Sequence, residues 1–175
     1  MLLQVRNATR GVTVTDRTMP GAERFSERNR AVEVAPEAAI RLVGALLALS
    51  VAAVHVADQG GVTAFTAPDW LGWSYRLIEV GGVLTAIVLL LPWPAWPSRL
   101  GQAAGWAAGV LLGVAPFVGY LASRTVGVPG DSGDIGNWGD WVGTVSLFAE
   151  ATLVILSITM LAAWWRQRTP ACRPV

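Results

Sequence analysis

The chain has 175 residues, of which 53% are apolar and only 14% charged, with a mean hydropathy of +0.48 and a formal net charge of +1. A soluble domain carries about a quarter charged residues, and a disordered chain combines low hydrophobicity with high net charge, so neither class describes the molecule as a whole. Every basic residue is Arg and the balance with the acids is nearly even, which leaves no electrostatic footprint for nucleic acid. A single cysteine, Cys172, excludes an internal disulfide and a Cys-rich metal cluster.

The segment 1–36 mixes Arg6, Arg10, Arg17, Arg24, Arg28 and Arg30 with Asp16, Glu23, Glu27 and Glu33 and has no apolar period, so it reads as a mobile arm. No short apolar core precedes a small-residue cleavage site, so a signal peptide is not expected; Met19 is an alternative start to Met1. Four apolar segments follow, at about 38–57, 71–91, 100–122 and 141–164. A helix needs roughly 20 mainly apolar residues to cross a bilayer core about 30 Å thick, and these runs are too long and continuous for barrel strands. The expected fold is all-α: a four-helix transmembrane bundle at 37–166, followed by a short tail at 167–175.

Arg placement gives the expected orientation. The arm, the second loop (Arg99) and the tail (Arg166, Arg168, Arg173) carry Arg, whereas the first loop and the third, with Asp131, Asp134 and Asp140, carry none. The positive-inside rule puts both termini and the second loop in the cytoplasm of a bacterial inner membrane. Trp70, Trp73, Trp138 and Trp141 then fall near the outer interface and Trp93, Trp96, Trp164 and Trp165 near the inner one, where amphipathic rings are best placed; Trp106 alone lies deeper.

The third segment carries Gly101, Gly105, Gly109 and Gly113 at strict four-residue spacing. Residues four apart share a helix face, so another backbone can approach closely, either within the chain or from a second copy or partner. Pro116 follows, lacking a backbone N–H and clashing with the carbonyl of Leu112, so a kink is expected there, opening towards the outer half.

That outer half holds the ionisable residues at membrane depth: His55, Arg76, Glu79, Arg124 and Glu150. At 1.5 Å per residue, Glu79 lies roughly 10 Å and Glu150 roughly 14 Å inside the outer border. A charge at such depth is costly unless paired or wetted, and is a functional candidate by default. Two readings stay open. Arg76–Glu79 and Arg124–Glu150 are ion pairs fixing helix register, helped by Tyr75 and Tyr120, or the group lines a pocket for a proton, cation or small ligand. His55, with an unperturbed pKa near 6.5, is either a headgroup-level ring or the titrating member of the set. Arg41, in the inner half, is expected to snorkel to the cytoplasmic surface.

Sharper motifs are missing. Asp131 to Asn137 has the acids of a calcium loop without its spacing or terminal Glu, and reads as a hydrated turn. No phosphate loop, HExxH or nucleophile–base set is present, and no cofactor or metal is called for. Cys172 reads as a free cytosolic thiol.

The stretches Ser123-Arg124-Thr125-Val126-Gly127-Val128-Pro129-Gly130 and Val145-Ser146-Leu147-Phe148-Ala149-Glu150 fit the patterns SRTxGxPG and VSLxxE. On these the chain resembles a group of small, uncharacterised four-helix integral membrane proteins of high-GC bacteria, over about 42–163. The likeness includes a His late in the first helix, here His55. It implies fold and topology and no activity.

Two expectations for function follow. The first is a non-enzymatic accessory or assembly subunit that packs against a partner, or forms a homodimer or larger membrane complex, through the glycine face. The alternative is a proton-, cation- or small-ligand-binding or transport protein with an outward-facing polar pocket. An enzyme is a third class without a visible constellation; a lipid-modifying activity would use His55.

Overall fold

The computed structural model describes residues 20–91 and 100–168. Among these it is all-helical, with α1 at Pro20–Asp58, α2 at Asp69–Leu90, α3 at Leu100–Thr125 and α4 at Trp141–Arg166. The chain divides into two units, 1–37 and 38–175. In the first, the backbone is already helical from Pro20, inside the segment expected to be a mobile arm. Pro suits the first helical position, and the Ala, Glu and Arg that follow are good helix formers even where no apolar face repeats. Arg6, Arg10 and Arg17, the loop with Arg99, and the tail with Cys172 and Arg173 lie outside the described residues.

Each of the four helices contains a stretch long and apolar enough to cross a membrane: Glu37–Asp58, Asp69–Leu90, Gly101–Thr125 and Trp141–Arg166. A third or less of each stretch is buried. Leu77, Leu111, Phe148 and Ile155 point outwards, and so much exposed apolar surface belongs to a multi-pass membrane protein rather than to a chain in water. The buried core is correspondingly small, made of Ala45, Ala48, Val51, Ala86, Leu89, Trp106, Leu112 and Leu153.

Small residues set how close the helices come. A Cβ at Gly82 of α2 would stand 2.7 Å from the Ala48 carbonyl of α1, and one at Gly44 of α1 would stand 2.7 Å from the Trp106 ring of α3. Trp106, the indole that falls outside the interfacial belts, is thus a core residue seated over a glycine. The α3 glycines are used within the chain. Gly101 is buried; Gly105 faces Val88 and Leu89 of α2, each 3.2 Å from its would-be Cβ. Gly109 faces Ser157, and Gly113 would place a Cβ 2.8 Å from the Glu150 carbonyl of α4. Four residues turn a helix by about 400°, so a four-residue stripe drifts about 40° per step and passes from one neighbour to the next. That drift explains why one stripe serves two helices.

Arg41 is part-buried, and its contacts lie at the end of α2. It crosses to α2 and donates to the carbonyls of Leu89 (2.8 Å) and Leu91 (2.6 Å), groups a helix C-terminus leaves without partners.

Candidate functional site

Beyond Gly113 the packing opens. Where α1 and α3 end and α2 and α4 begin, the bundle encloses a cavity of about 520 Å³. Pro116, inside an otherwise uninterrupted α3, stands in its wall, followed by Gly119, Tyr120, Ser123 and Arg124. Glycines thus close one part of α3 against α4, and the residues after them line a space.

The loop at 126–140 forms the mouth, and its sequence explains its shape. Gly127, at φ +77°, ends α3: its N–H and that of Val126 both reach the Ala122 carbonyl. Val128-Pro129-Gly130-Asp131 then makes a turn, with Gly130 at φ +82° and paired backbone bonds between Val128 and Asp131. Trp70 Nε1 donates to the Pro129 carbonyl (3.0 Å), fastening the turn to the start of α2. The stretch that carries the SRTxGxPG pattern therefore shapes the site, because it brings Asp131 and Asp134 over the cavity.

Arg124 holds this loop. Although only 6% exposed, it pairs with Asp134 through Nη1 and with Asp140 through Nη2 (3.3 Å), and its guanidinium lies 4.7 Å from the centre of the Tyr120 ring. Asp140 serves a second purpose, because it also caps α4, accepting from Val142 N (3.0 Å) and Gly143 N (3.3 Å). The Arg124–Glu150 pair expected from charge balance does not form. Two aspartates of the neighbouring loop reach the guanidinium instead, and Asp131 to Asn137 is a turn with one of its acids on Arg124.

Glu150 is 1% exposed and lines the cavity wall. Ser146, one turn earlier on α4, donates to Oε1 at 2.5 Å, and Oε2 has no hydrogen-bond partner. Across the cavity, His55 Nε2 lies 3.9 Å from Oε1, in range of an ion pair when the ring is protonated but too long for a hydrogen bond. The other ring nitrogen, Nδ1, sits 2.8 Å from the Val51 carbonyl. A carbonyl only accepts, so Nδ1 carries a proton, and in the neutral ring Nε2 presents a lone pair towards the cavity. His55 is buried, in the last turn of α1. The Tyr75 ring lies tilted beside it, 5.4 Å between ring centres, and Tyr75 donates to Asp58 at 2.5 Å.

Arg76 and Glu79 lie apart from this space. They pair at 2.5 Å, i to i+3 on α2. Gln59 donates to the other Glu79 oxygen at 2.7 Å, and Arg76 also donates to the Ala64 carbonyl. The network ties the first loop to α2, and neither residue lines the cavity. The five residues singled out by depth therefore separate into a cavity set of His55, Arg124 and Glu150 and a closed pair.

The comparisons add no relatives: no family model matches the chain, and neither the curated proteins nor the solved structures contain a significant match.

Proposed function

We propose that the protein is a multi-pass protein of a bacterial inner membrane, with both termini cytoplasmic, that takes a small polar ligand, cation or proton into an outward-facing pocket. The observation that carries this reading is Glu150: a carboxyl group at membrane depth, on a cavity wall, with one oxygen unpartnered and an imidazole opposite. A purely structural ion would have its valences filled, since leaving them empty costs stability with no return. The Arg-free loops around the cavity and the Trp residues beside it support the outward orientation. The likeness to small four-helix membrane proteins of high-GC bacteria belongs to the same proposal, since its two patterns contain Arg124 and Glu150. The accessory-subunit reading rests on the glycine face, which α2 and α4 occupy in this fold.

The native chain has one cysteine, so Cys172→Ser gives a clean background for thiol labelling. Ser74→Cys, on the cavity wall, should react with a membrane-impermeant maleimide added to intact cells, while Ser157→Cys, buried against Gly109, should not. If Ser74→Cys stays unreactive, or reacts only after permeabilisation, the outward-facing pocket is wrong.

A further inference from the structure

Resting on that pocket reading, we infer that the ligand is an organic ammonium ion with an apolar body, its N–H⁺ received by Glu150. Three observations point to this class. The first is charge. Five carboxyl groups line the cavity, from Asp58, Asp131, Asp134, Asp140 and Glu150, against the single guanidinium of Arg124. Even a protonated His55 leaves negative charge in excess, so the site concentrates cations and repels anions. Arg124, held by Asp134 and Asp140, offsets one of these two charges and leaves the other in excess. Its Nε–H is buried without a partner.

The second observation is the unfilled valence. Glu150 Oε2 is an acceptor, and in the neutral ring His55 Nε2 is another. Two acceptors on residues that line one space are matched by a donor with more than one N–H, which an alkylammonium supplies and a carboxylate does not. The third is size and wall. About 520 Å³ far exceeds the roughly 30 Å³ a water occupies in the liquid. Among the described residues no three His, Cys, Asp or Glu side chains converge to hold a metal ion. The cavity walls include Ala115, Pro116, Ile78 and the Tyr75 and Tyr120 rings, apolar surface against which a hydrocarbon body is desolvated and a cation is welcome over an aromatic face.

The test uses the full chain in intact cells, with Ser74→Cys as reporter. n-Butylammonium, butan-1-ol and butyrate share a four-carbon body and differ in head-group charge. n-Butylammonium should slow maleimide labelling at least about tenfold at saturation, while the alcohol, butyrate and sodium chloride of equal ionic strength leave the rate unchanged. In Glu150→Gln the half-protecting concentration should rise at least about tenfold, and Glu150→Asp should recover part of it. Should Glu150→Gln not accumulate, the wild-type ranking of the three probes and the Asp variant decide the question. Equal protection by butyrate or butan-1-ol, protection by salt alone, or n-butylammonium protection indifferent to Glu150→Gln would each overturn the ammonium assignment. Ready labelling that none of the probes slows removes the ligand class and leaves the open pocket standing. Absence of labelling removes the pocket, and this inference with it.

Discussion

Glu79 and Glu150 are both buried inside apolar helices, and the surroundings built for them differ in kind. Glu79 has each oxygen engaged, one by Gln59 and one by Arg76, and its guanidinium partner is in turn tied to the first loop. Glu150 has a serine on one oxygen, with an imidazole 3.9 Å from that same oxygen, and nothing on the other. Glu79 is walled off, whereas Glu150 borders a cavity. Depth in the membrane marks both residues as costly, but it does not separate a register-fixing ion from one proposed to face a ligand. What separates them is the count of filled valences. A satisfied pair contributes modestly to stability and is expensive to break, while an unsatisfied buried acceptor costs stability.

The largest effect is expected where the two kinds of packing meet. Gly113 lies against the backbone of Glu150 itself, and a Cβ there would stand 2.6 Å from Val154 and 2.8 Å from the Glu150 carbonyl. Gly113→Leu has no flexible side chain to push aside and must displace α4, at a cost of about 3 kcal/mol or more. Little folded protein should be recovered from membranes, as read by size-exclusion in mild detergent. A monodisperse, wild-type-like yield would show that α3 and α4 do not approach this closely.

Glu79→Gln comes next. It leaves Arg76, mostly buried, without its counter-charge, and should cost about 2–4 kcal/mol in a reversible denaturation series in micelles. Glu150→Gln should move the same transition by less than about 1 kcal/mol, because it breaks no close ion pair and the amide oxygen still accepts from Ser146. Native mass spectrometry provides the complementary readout. A small molecule carried by the wild type and by surviving Glu79→Gln should be missing from Glu150→Gln. If the two variants destabilise equally and neither loses a bound species, the contrast between the sites has no functional content.

Several of these features are legible in the residues before any fold is known. The four helices are, because long apolar runs leave few alternatives, and observed spans begin and end within a few residues of the apolar stretches. Arg76–Glu79 is also legible, since i,i+3 neighbours meet on any helix. The partners of Arg124 are not, because they depend on how a fifteen-residue loop folds back, and charge balance points to Glu150 instead. Asp140 does leave a signal: an Asp directly before an apolar run is a helix cap, and a cap beside the end of α3 is within reach of Arg124. Gln59 leaves none, being an uncharged loop residue whose role appears only once α1 and α2 are packed. The glycine stripe is plain in its spacing, but which neighbours it faces requires the drift of the helix and the positions of both α2 and α4.

The smallest effect on stability is expected at Gly119, and it separates space from charge. Gly119 lines the cavity, and a Cβ there would meet nothing within 4 Å. Ala at this position removes the helix penalty of glycine, so Gly119→Ala should leave stability unchanged or raise it by up to about 1 kcal/mol. Gly119→Leu adds a larger side chain at the cavity wall and leaves the charged residues themselves unchanged. Its transition should stay within about 0.5 kcal/mol of the Ala variant, while labelling of Ser74→Cys slows and any bound species is lost. A Leu variant that still labels and binds as the wild type does would mean that the space beside Glu150 is not where the ligand sits. The unfilled oxygen of Glu150 would then need an occupant no larger than water.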